Sequence, residues 1–344
     1  MKKLFLLSAM LVSLCGSAQQ RPHYTQYILN NYVLNPALAG IENYTDVKIS
    51  ARDQWAGMTG APRTAYLTVH GPLGKKDYKT SATSFAVPGE NPRGNAYWQT
   101  YTASEPHHGV GLTIVNDRTG NFNRFSAAAS YAYHLGLNPR TNLSAGFSAG
   151  ITTVGLNANG KAFFGPNPSD PAVGGAVVKE LRRIKPDLSV GLWLYNANYF
   201  IGLSAQQVIP QKLLFADDAS FEVPGRLVPH LFATAGYRFL VNDDINAVPS
   251  VMVKYISGAF KNNYQAEVNL KLQYHDLLWV GGSYRQFDGY AAMLGVNVGN
   301  TFNVGYSYDF TKTDLRTYSR GTHELVLGFL LGNRYSDSCP RNVW

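Results

Sequence analysis

The residues best suited to do chemistry in this sequence stand at Gly146 to Gly150, which read Gly-Phe-Ser-Ala-Gly. They match the Gly-x-Ser-x-Gly pattern of a nucleophile turn, in which a serine hydroxyl attacks an ester or amide carbonyl. Such a turn joins a strand to a helix and needs an acid and a histidine later in an α/β sheet. Here the pattern lies within a predicted β-strand, and no coherent triad accompanies it. The sequence therefore predicts no catalytic residue and no enzyme.

Histidine and acid pairs are the other candidates for chemistry. His107-His108 lacks further ligands at the spacing of a zinc site, and we expect both histidines to be polar residues at a strand edge near the membrane interface. Asp217-Asp218 and Asp243-Asp244 lie in predicted loops without the additional oxygen ligands of a calcium-binding loop. The sequence therefore predicts no metal site and no cofactor.

The chain begins like an exported protein. Two lysines precede an apolar run from Leu4 to Leu14, and the Gly-Ser-Ala at positions 16–18 suits a signal-peptidase site. We expect residues 1–18 to be removed as a signal peptide. Cys15 follows a leucine rather than a small residue, which argues against a lipoprotein. Cys339 is then the one cysteine left, so no internal disulfide holds the fold.

The composition indicates an all-β membrane protein. After the leader there is no apolar stretch of about 18 residues or more, which excludes a helical span on length. The chain has 22 Tyr, 17 Phe, 5 Trp and 33 Gly with only 15% charged residues, which favours many aromatic strands separated by glycine turns. The net charge of +8 comes without a long basic run, so it does not predict nucleic-acid binding.

From residue 46 onward, loose period-2 alternation recurs between clusters of Gly, Pro, Asn and Asp, as expected of barrel strands. In Thr301 to Tyr308, for example, large apolar residues alternate with small or polar ones. We predict a transmembrane antiparallel β-barrel over residues 46–330, with an even number of strands. The fourteen predicted strands are 46–53, 63–70, 108–116, 122–134, 142–157, 187–196, 199–206, 228–239, 246–256, 264–273, 277–285, 290–297, 301–308 and 322–330.

Strand parity divides the connections between the two ends of the barrel. With both termini in the periplasm, the connections 158–186, 207–227 and 309–321 fall outside the cell, and the turns 197–198, 240–245, 274–276 and 298–300 fall inside. The segment 71–107 breaks this asymmetry as a long periplasmic insertion. As an alternative, Thr80 to Val87 and Ala96 to Ala103 form a further hairpin, which gives sixteen strands.

The segment before the first strand, residues 19–45, contains six large apolar side chains between Tyr27 and Leu34 alone. Exposing each of them to water costs about 1.5–3 kcal/mol. We therefore expect the segment to plug the barrel lumen. The alternative is a disordered periplasmic lead.

Four motifs near the N-terminus carry a resemblance to a known family. They are Tyr24-Thr-Gln-Tyr-Ile-Leu-Asn30, Asn35-Pro-Ala-Leu-Ala-Gly40, Arg52-Asp-Gln-Trp-Ala-Gly57 and Gly60-Ala-Pro62, and the likeness returns at His323-Glu324 near the start of the predicted last strand. In this order after a signal peptide they closely resemble the PorP/SprF family of the type IX secretion and gliding machinery of Bacteroidetes. The segment 71–107 and the tail 331–344 depart from the family pattern.

The resemblance implies an outer-membrane subunit that helps to export or anchor a secreted surface protein, an adhesin, by binding it or its C-terminal sorting domain. It also implies contacts with other type IX secretion or gliding components, some of them periplasmic, and with outer-membrane lipids. The expected partner-binding or plug-and-loop residues are Asn35, Pro36, Ala37, Gly40, Arg52, Gln54, Trp55, Gly57, Gly60 and Pro62, with Phe163 and Phe164 as anchors in an outer loop.

Each of these motif residues also has a purely structural interpretation. Pro36 fixes a turn and keeps Asn35 out of the helical region, while Gly57 and Gly60 permit positive φ. Arg52 either stacks on Trp55 or binds an acidic partner in the lumen. On this interpretation the cluster is a lock between the plug and the loop.

A second function stays open from the sequence, which is a passive channel or a transporter of hydrophobic solutes with a movable N-terminal plug. A lumen rich in ordered charge would favour it. The alternation predicts few inward acids or bases, so the binding subunit is the preferred interpretation.

Overall fold

The computed structural model describes residues 22–75, 94–95, 99, 101–157, 180–213, 225–257, 263–275, 277–299 and 301–333. The expected signal peptide, Phe163 and Phe164, Asp217-Asp218 and Cys339 lie outside these residues. Among the helices in the described ranges, none combines the length and the apolar character needed to cross a membrane.

Fourteen long antiparallel strands pair in a ring. With three short strands, β8, β9 and β11, the described residues contain seventeen strands in all. They are β1 (Thr45–Asp53), β2 (Arg63–Leu73), β3 (His107–Thr119), β4 (Phe122–Asn138), β5 (Thr141–Asn157), β6 (Glu180–Tyr195), β7 (Tyr199–Gln206), β8 (Gln211–Leu213), β9 (Gly225–Leu227), β10 (His230–Tyr237), β11 (Phe239–Leu240), β12 (Ile245–Ile256), β13 (Tyr264–Tyr274), β14 (Leu278–Arg285), β15 (Gly289–Val298), β16 (Phe302–Thr311) and β17 (Thr322–Leu331). The pairs β1–β17 and β10–β12 close the ring. The short β8 and β9 form a separate hairpin, and β11 continues the pairing along β12.

The predicted closed barrel of fourteen strands is thus confirmed. In the alternative with sixteen strands, Thr80 to Val87 lies outside the described residues, and Tyr101 to Ala103 are not in a strand. The fourteen strands already close on themselves, so no free edge is left in the ring. Closure matters because unpaired peptide groups in hydrocarbon cost several kcal/mol each.

The side chains alternate between the inside and the outside of the barrel along every strand. In β15, Leu294 is 56% exposed while its neighbour Met293 is 3% exposed. Large apolar residues such as Val280 and Leu203 lie on the outer face. Because this face is apolar and the backbone is paired, the outside of the barrel suits a lipid bilayer.

β4, β5 and β6 have 16 or 17 residues each and are longer than the other strands. The sequence places the start of β6 at residue 187, but the strand begins at Glu180 and pairs with the end of β5. The prediction missed this extension because the charged residues Arg182, Arg183 and Lys185 are typical of a water-exposed loop. A strand that extends beyond the bilayer can carry such charges on its protruding part. The hydropathy of that part therefore does not identify it as a strand.

The connections between strands lie at two ends of the barrel. The loop end carries the connections β1–β2, β3–β4, β5–β6, β7–β10, β12–β13, β14–β15 and β16–β17. The turn end carries the others and the point at which the chain enters β1. The three long connections predicted for one side therefore share the loop end. Most connections at the turn end are tight, and the segment after β2 is the long exception. Of that segment, Tyr101 is buried and accepts a hydrogen bond from Asn142.

The core of the protein lies inside the barrel rather than between layers. Residues 22–44, which we call the luminal segment, form three short 3₁₀-helices at Thr25–Ile28, Asn31–Val33 and Pro36–Leu38. Their apolar side chains make two buried clusters with inward-facing residues of the wall, one around Leu38 and Trp193 and the other around Tyr27 and Met252.

The orientation of the barrel can be tested by labelling cysteines in a Cys339→Ser background. Lys312→Cys lies at the loop end and Arg140→Cys at the turn end, and both positions are exposed. We expect a membrane-impermeant maleimide to label Lys312→Cys on intact cells and to label Arg140→Cys only after the outer membrane is permeabilised. The reverse pattern would show that the turn end faces the outside.

Candidate functional site: the luminal segment and the loop-end cavity

The luminal segment runs along the inside of the barrel from the loop end to the turn end. At the loop end, the Thr25 N–H donates to Glu324 Oε2 at 2.8 Å, and the Thr25 hydroxyl donates to Asp309 Oδ2 at 2.7 Å. At the turn end, Gly40 N–H donates to His70 Nδ1 at 3.4 Å. The chain therefore passes through the lumen before it turns into β1. Whether the segment closes the lumen to solutes stays a prediction.

The Asn-Pro-Ala motif sits in the middle of this path. Asn35 is extended (φ −140°), its side chain accepts from the Ala37 N–H at 3.0 Å, and Pro36 occupies the first turn of the third 3₁₀-helix. Asn35 Nδ2 also donates to the backbone oxygen atoms of Leu192 at 3.0 Å and Leu203 at 3.2 Å. The expected turn is confirmed, and the same asparagine also ties the segment to β6 and β7.

Glycines on the wall make room for this motif. A Cβ added to Gly191 would lie 1.9 Å from Asn35 Oδ1, and a Cβ added to Gly146 would lie 2.7 Å from the Ala37 Cα. Gly146 belongs to the Gly-x-Ser-x-Gly pattern, which lies within β5 as predicted. The contact with Ala37 gives a specific structural reason for the glycine at position 146.

Three histidines, His70, His107 and His134, hold the luminal segment at the turn end. His107 Nε2 lies 3.1 Å from the Gly40 carbonyl oxygen, and His134 Nε2 lies 2.7 Å from the Ala39 carbonyl oxygen. The rings of His107 and His134 stack with their centroids 4.5 Å apart. The placement of His107 at the membrane interface was wrong, because alternation turns His107 inward and His108 outward.

A buried ion cluster fixes the loop-end half of the segment. Arg52 Nη2 lies 2.7 Å from Asp309 Oδ2, and Arg52 Nη1 lies 2.8 Å from Glu324 Oε2. Arg52 Nη1 also donates to the Thr25 hydroxyl at 2.8 Å. Of the two expectations for Arg52, the acidic luminal partner is confirmed. The cluster joins the first strand, the last strand and the luminal segment.

A second arginine extends the cluster to the neighbouring strands. Arg285 Nε lies 2.8 Å from Glu267 Oε2, and Arg285 Nη1 lies 2.8 Å from Asp288 Oδ2. The expectation of few inward acids or bases was wrong. Each strand contributes at most three such groups to the set below, and they are spaced along the strand, so no run of charge in the sequence indicates them. The buried inward charged residues include Asp46, Lys48, Arg52, Lys254, Glu267, Lys271, Arg285, Asp309 and Glu324.

The loop between β1 and β2 carries the other motif residues. Trp55 has φ +53°, and its N–H donates to Thr322 Oγ1 at 3.1 Å. Gly57 (φ +93°) and Gly60 (φ +75°) adopt the positive φ expected of them. Gln54 N–H donates to the Pro62 carbonyl oxygen at 2.9 Å and closes the loop.

This loop is also bound to the loop between β16 and β17. Ala56 N–H donates to the Gly321 carbonyl oxygen, and Arg320 N–H donates to the Ala56 carbonyl oxygen, both at 2.8 Å. These backbone bonds continue the β1–β17 pairing beyond the barrel. They hold Trp55 at a fixed place beside the mouth of the lumen.

An open cavity of about 700 Å³ lies at the loop end, which we call the loop-end cavity. Its volume is within the range of about 300–1,000 Å³ common for ligand pockets. Its lining residues are His23, Gln54, Trp55, Lys254, Ile256, Asn263, Tyr264, Gln265, Phe287, Asp288, Thr313, Asp314, Leu315 and Tyr318. The cavity thus meets the luminal segment at His23 and the family motif at Gln54 and Trp55.

The expected site residues therefore separate into two places. Asn35, Pro36, Ala37 and Gly40 are buried in the lumen with Arg52, whereas Gln54, Trp55, Gly57, Gly60 and Pro62 lie at the loop end. Phe163 and Phe164 lie outside the described residues and stay predictions. The sequence analysis missed Arg285 and Asp309. It did not single out Thr25 or Glu324 either, although the resemblance covers the segments in which these two residues lie.

The remaining chemical patterns are not brought together into a site. Asp243 accepts a hydrogen bond from Asn95 at 2.9 Å, and Asp244 pairs with His275, all in exposed turns or loops. Within the described ranges no group of three or more histidine, cysteine or acidic residues is placed to hold a metal ion.

The closed ring, the apolar outer face and the polar lumen define a transmembrane β-barrel of the outer membrane. The model of the family described as "Type IX secretion system membrane protein PorP/SprF" matches residues 16–329. The chain therefore belongs to the PorP/SprF family, and it is an outer-membrane barrel of the type IX secretion system. This family is one of secretion membrane proteins rather than of enzymes. No curated protein sequence matches the chain.

Solved outer-membrane barrels resemble the chain at low sequence identity. Omp33 of Acinetobacter baumannii is 9% identical with a TM-score of 0.46, covering 85% of this chain and 100% of Omp33. A FadL homologue of Pseudomonas aeruginosa is 10% identical with a TM-score of 0.47, covering 91% of this chain and 94% of its own. The toluene transporter TodX of P. putida is 11% identical with a TM-score of 0.46, covering 86% and 92%.

The importance of the ion cluster can be measured with Arg52→Met. This substitution leaves Glu324 buried without its arginine and Asp309 with only the longer contact to Arg285 at 3.6 Å, so we expect the free energy of unfolding to fall by about 3–5 kcal/mol. Urea unfolding of the folded barrel in lipid vesicles measures the loss. Arg63→Met is the matched control, because Arg63 is 76% exposed in its pair with Asp53 and should change stability far less. Equal losses for both variants would contradict a structural role of the cluster.

The fit of the luminal segment can be tested with Gly191→Val. Valine favours strands, so its main effect should be the clash with Asn35, which displaces the segment. We expect a larger conductance in planar bilayers and faster proteolysis within residues 22–44. Gly282→Val is the control, because its Cβ would lie 3.9 Å from the nearest atom, the Ala291 oxygen. A conductance no higher than that of the control would show that the segment does not close the lumen.

Proposed function

We propose that this protein binds a secreted surface protein, an adhesin, at its loop end and helps to export or anchor it in the outer membrane. The barrel provides the anchor and the loops provide the contact. On this proposal residues 1–18 direct export, and the partner contributes its C-terminal sorting domain. Other secretion or gliding components bind at the turn end, with the segment 71–107 as a candidate contact in the periplasm.

The observation that carries the proposal is the way the luminal segment is fixed. Hydrogen bonds tie it to most of the fourteen strands, from Glu324 and Asp309 through Thr68 and Gln206 to His134. So many buried contacts support the proposal that the luminal segment occupies the lumen in the resting protein. The surface left for recognition is then the loop end.

The hydrogen bonds between two described loops at the loop end also support binding. The β1–β2 and β16–β17 loops hydrogen-bond to each other through Ala56, Arg320 and Gly321. A partner that binds such a surface loses less free energy in ordering the loops. Phe163 and Phe164 remain proposed anchors in the β5–β6 connection.

The channel is the second candidate, and the inward charges favour it. Ordered charge in a lumen is what a pathway for polar solutes would need. The charges of the loop-end half are, however, paired with each other and with Thr25, so moving the segment would leave Arg52, Asp309 and Glu324 without these contacts. A movable plug therefore requires a large compensating interaction.

Affinity purification of the tagged barrel from native outer membranes in mild detergent tests the proposal. We expect a large secreted surface protein to co-purify in stoichiometric amounts, together with secretion components, as identified by mass spectrometry. An unrelated tagged outer-membrane barrel from the same cells is the control. A barrel that purifies alone and conducts ions in a bilayer would replace this proposal with the channel.

A further inference from the structure

We propose that Arg63 and Arg118, on the outer wall of the barrel at the loop end, bind the phosphate of an outer-leaflet lipid. The lipid is a phosphorylated glycolipid of the lipopolysaccharide class. The inference goes beyond the proposed function and shares one element with it, which is that the loop end faces the outside of the cell. It assigns a ligand to the wall of the barrel rather than to its mouth.

Exposed charges are divided unequally between the two ends of the barrel. Among the described residues with exposed side chains, the loop end has six basic residues and one acid, and the turn end has one basic residue and three acids. The loop-end residues are Arg63, Arg118, Arg182, Lys312, Arg316, Arg320 and Asp314, and the turn-end residues are Arg140, Glu105, Asp243 and Asp244. A positive rim attracts anions, and phosphates are the anions of the outer leaflet.

Two of these arginines lie directly opposite each other on neighbouring strands. Arg63 of β2 pairs in register with Arg118 of β3. Their neighbours Thr64 and Asp117 face the lumen, where the Thr64 hydroxyl donates to Asp117 Oδ1 at 2.6 Å, so alternation directs both arginines outward. Like charges directly opposite each other on a sheet are destabilising. An anion between the two guanidinium groups removes this repulsion.

The acid beside this arginine pair neutralises only part of its charge. Arg63 Nε lies 3.2 Å from Asp53 Oδ1, and the two side chains are 76% and 43% exposed, so this ion pair is weak. Within the ranges that the structure describes, Arg118 forms no salt bridge. Two arginines and one aspartate leave a net positive charge. A phosphate group can accept hydrogen bonds from both guanidinium groups and supply the missing anion.

The height of the pair on the wall matches the level of lipid headgroups. Below it, the outer faces of β2 and β3 carry the apolar pairs Leu67–Ile114 and Val69–Leu112. At the turn end the outward His108 contacts Tyr131, with His108 Nδ1 2.6 Å from the tyrosine oxygen, as is typical of the other membrane interface. β2 has 11 residues, which at about 3.4 Å each and a tilt of about 45° span roughly 26 Å, close to the apolar band of about 25 Å. The arginines therefore mark the loop-end boundary of this band.

The direction of the two side chains favours a lipid over an acidic protein segment. Arg63 and Arg118 project sideways from the wall into the surrounding headgroup layer, not into the mouth of the lumen. The acyl chains of a lipid whose phosphate lies between them can run along Leu67 and Ile114 beneath. A glycolipid thus makes the charged and the apolar contacts with one molecule, whereas an acidic protein segment makes only the charged one.

Purified lipids test the proposal with the full-length barrel. The probes are monophosphoryl lipid A and the same lipid without its phosphate, each titrated into the detergent-solubilised protein and measured by native mass spectrometry. We expect the phosphorylated lipid to bind about tenfold or more tightly, because charge-assisted contacts are lost with the phosphate. Equal affinities for the two lipids would overturn the proposal.

Two further probes distinguish the source of the anion. Inorganic phosphate and a pentaglutamate peptide are titrated in the same way, and we expect both to bind more weakly than the phosphorylated lipid. If either binds as tightly as that lipid, the pair is a site for a free anion or for an acidic protein segment, and the proposal is overturned.

Variants assign the site to the two arginines. We expect Arg118→Gln to reduce the preference for the phosphorylated lipid and the double variant Arg63→Gln/Arg118→Gln to abolish it, with unchanged affinity for the lipid without phosphate. The controls are Arg316→Gln in the β16–β17 loop and Arg140→Gln at the turn end, both exposed arginines away from the pair. Heat-modifiable migration on gels shows that each variant is folded. An unchanged preference in the folded double variant would overturn the proposal.

Purification from native membranes separates this inference from the proposed function. The glycolipid that co-purifies is quantified by its hydroxylated fatty acids, and the secreted partner by mass spectrometry. If the double variant loses most of the glycolipid and keeps the partner, both proposals stand. If the wild type retains glycolipid but no partner, the lipid site stands and the proposed function is lost. If the double variant retains as much glycolipid as the wild type, the lipid site is overturned and the function is unaffected. Cysteine labelling that places the loop end in the periplasm would overturn both.

Discussion

The structure depends on the closure of the ring between β1 and β17, because every strand needs a hydrogen-bonded neighbour on both sides in hydrocarbon. β1 is the first strand of the barrel in the sequence and β17 is the last. Without their pairing, each of them would have a free edge. Arg52 and Glu324 stand opposite each other in this register. Their ion pair lies at the seam, and Thr25 of the luminal segment binds both residues. The seam and the luminal segment are therefore stabilised by the same atoms.

A barrel of fourteen strands is too wide for its own inward side chains to fill, unlike an eight-stranded one. The luminal segment supplies the missing volume with Tyr27, Leu34 and Leu38, each worth about 1.5–3 kcal/mol on burial. Glycines such as Gly146 and Gly191 let its backbone approach the wall. The charged groups contribute less to net stability than their short distances suggest, because burying each one costs desolvation. Their main effect is to fix one position of the segment.

The parts of the fold that could be predicted from the sequence are those that local pattern controls. Alternation in segments such as 301–308 and glycine-rich turns marked all fourteen strands, since a residue two positions away is enough to define a face. Thr25, Asp309 and Glu324 could not be paired from the sequence, because almost 300 residues separate Thr25 from its partners. The resemblance marked the motif residues, but it did not indicate that Arg52 faces the lumen and Trp55 the mouth.

The motif Arg52 to Gly57 therefore connects the ion cluster in the lumen with the loop-end cavity. Arg52 is the last inward residue of β1 and holds Thr25, whereas Trp55 follows three residues later and lines the loop-end cavity. On the other side, His23 lines the cavity and Thr25, two residues on, belongs to the ion cluster. The loop-end cavity and the ion cluster therefore lie on the same two short stretches of chain. The contacts that fix the luminal segment in the lumen also set where Trp55 and His23 stand at the mouth.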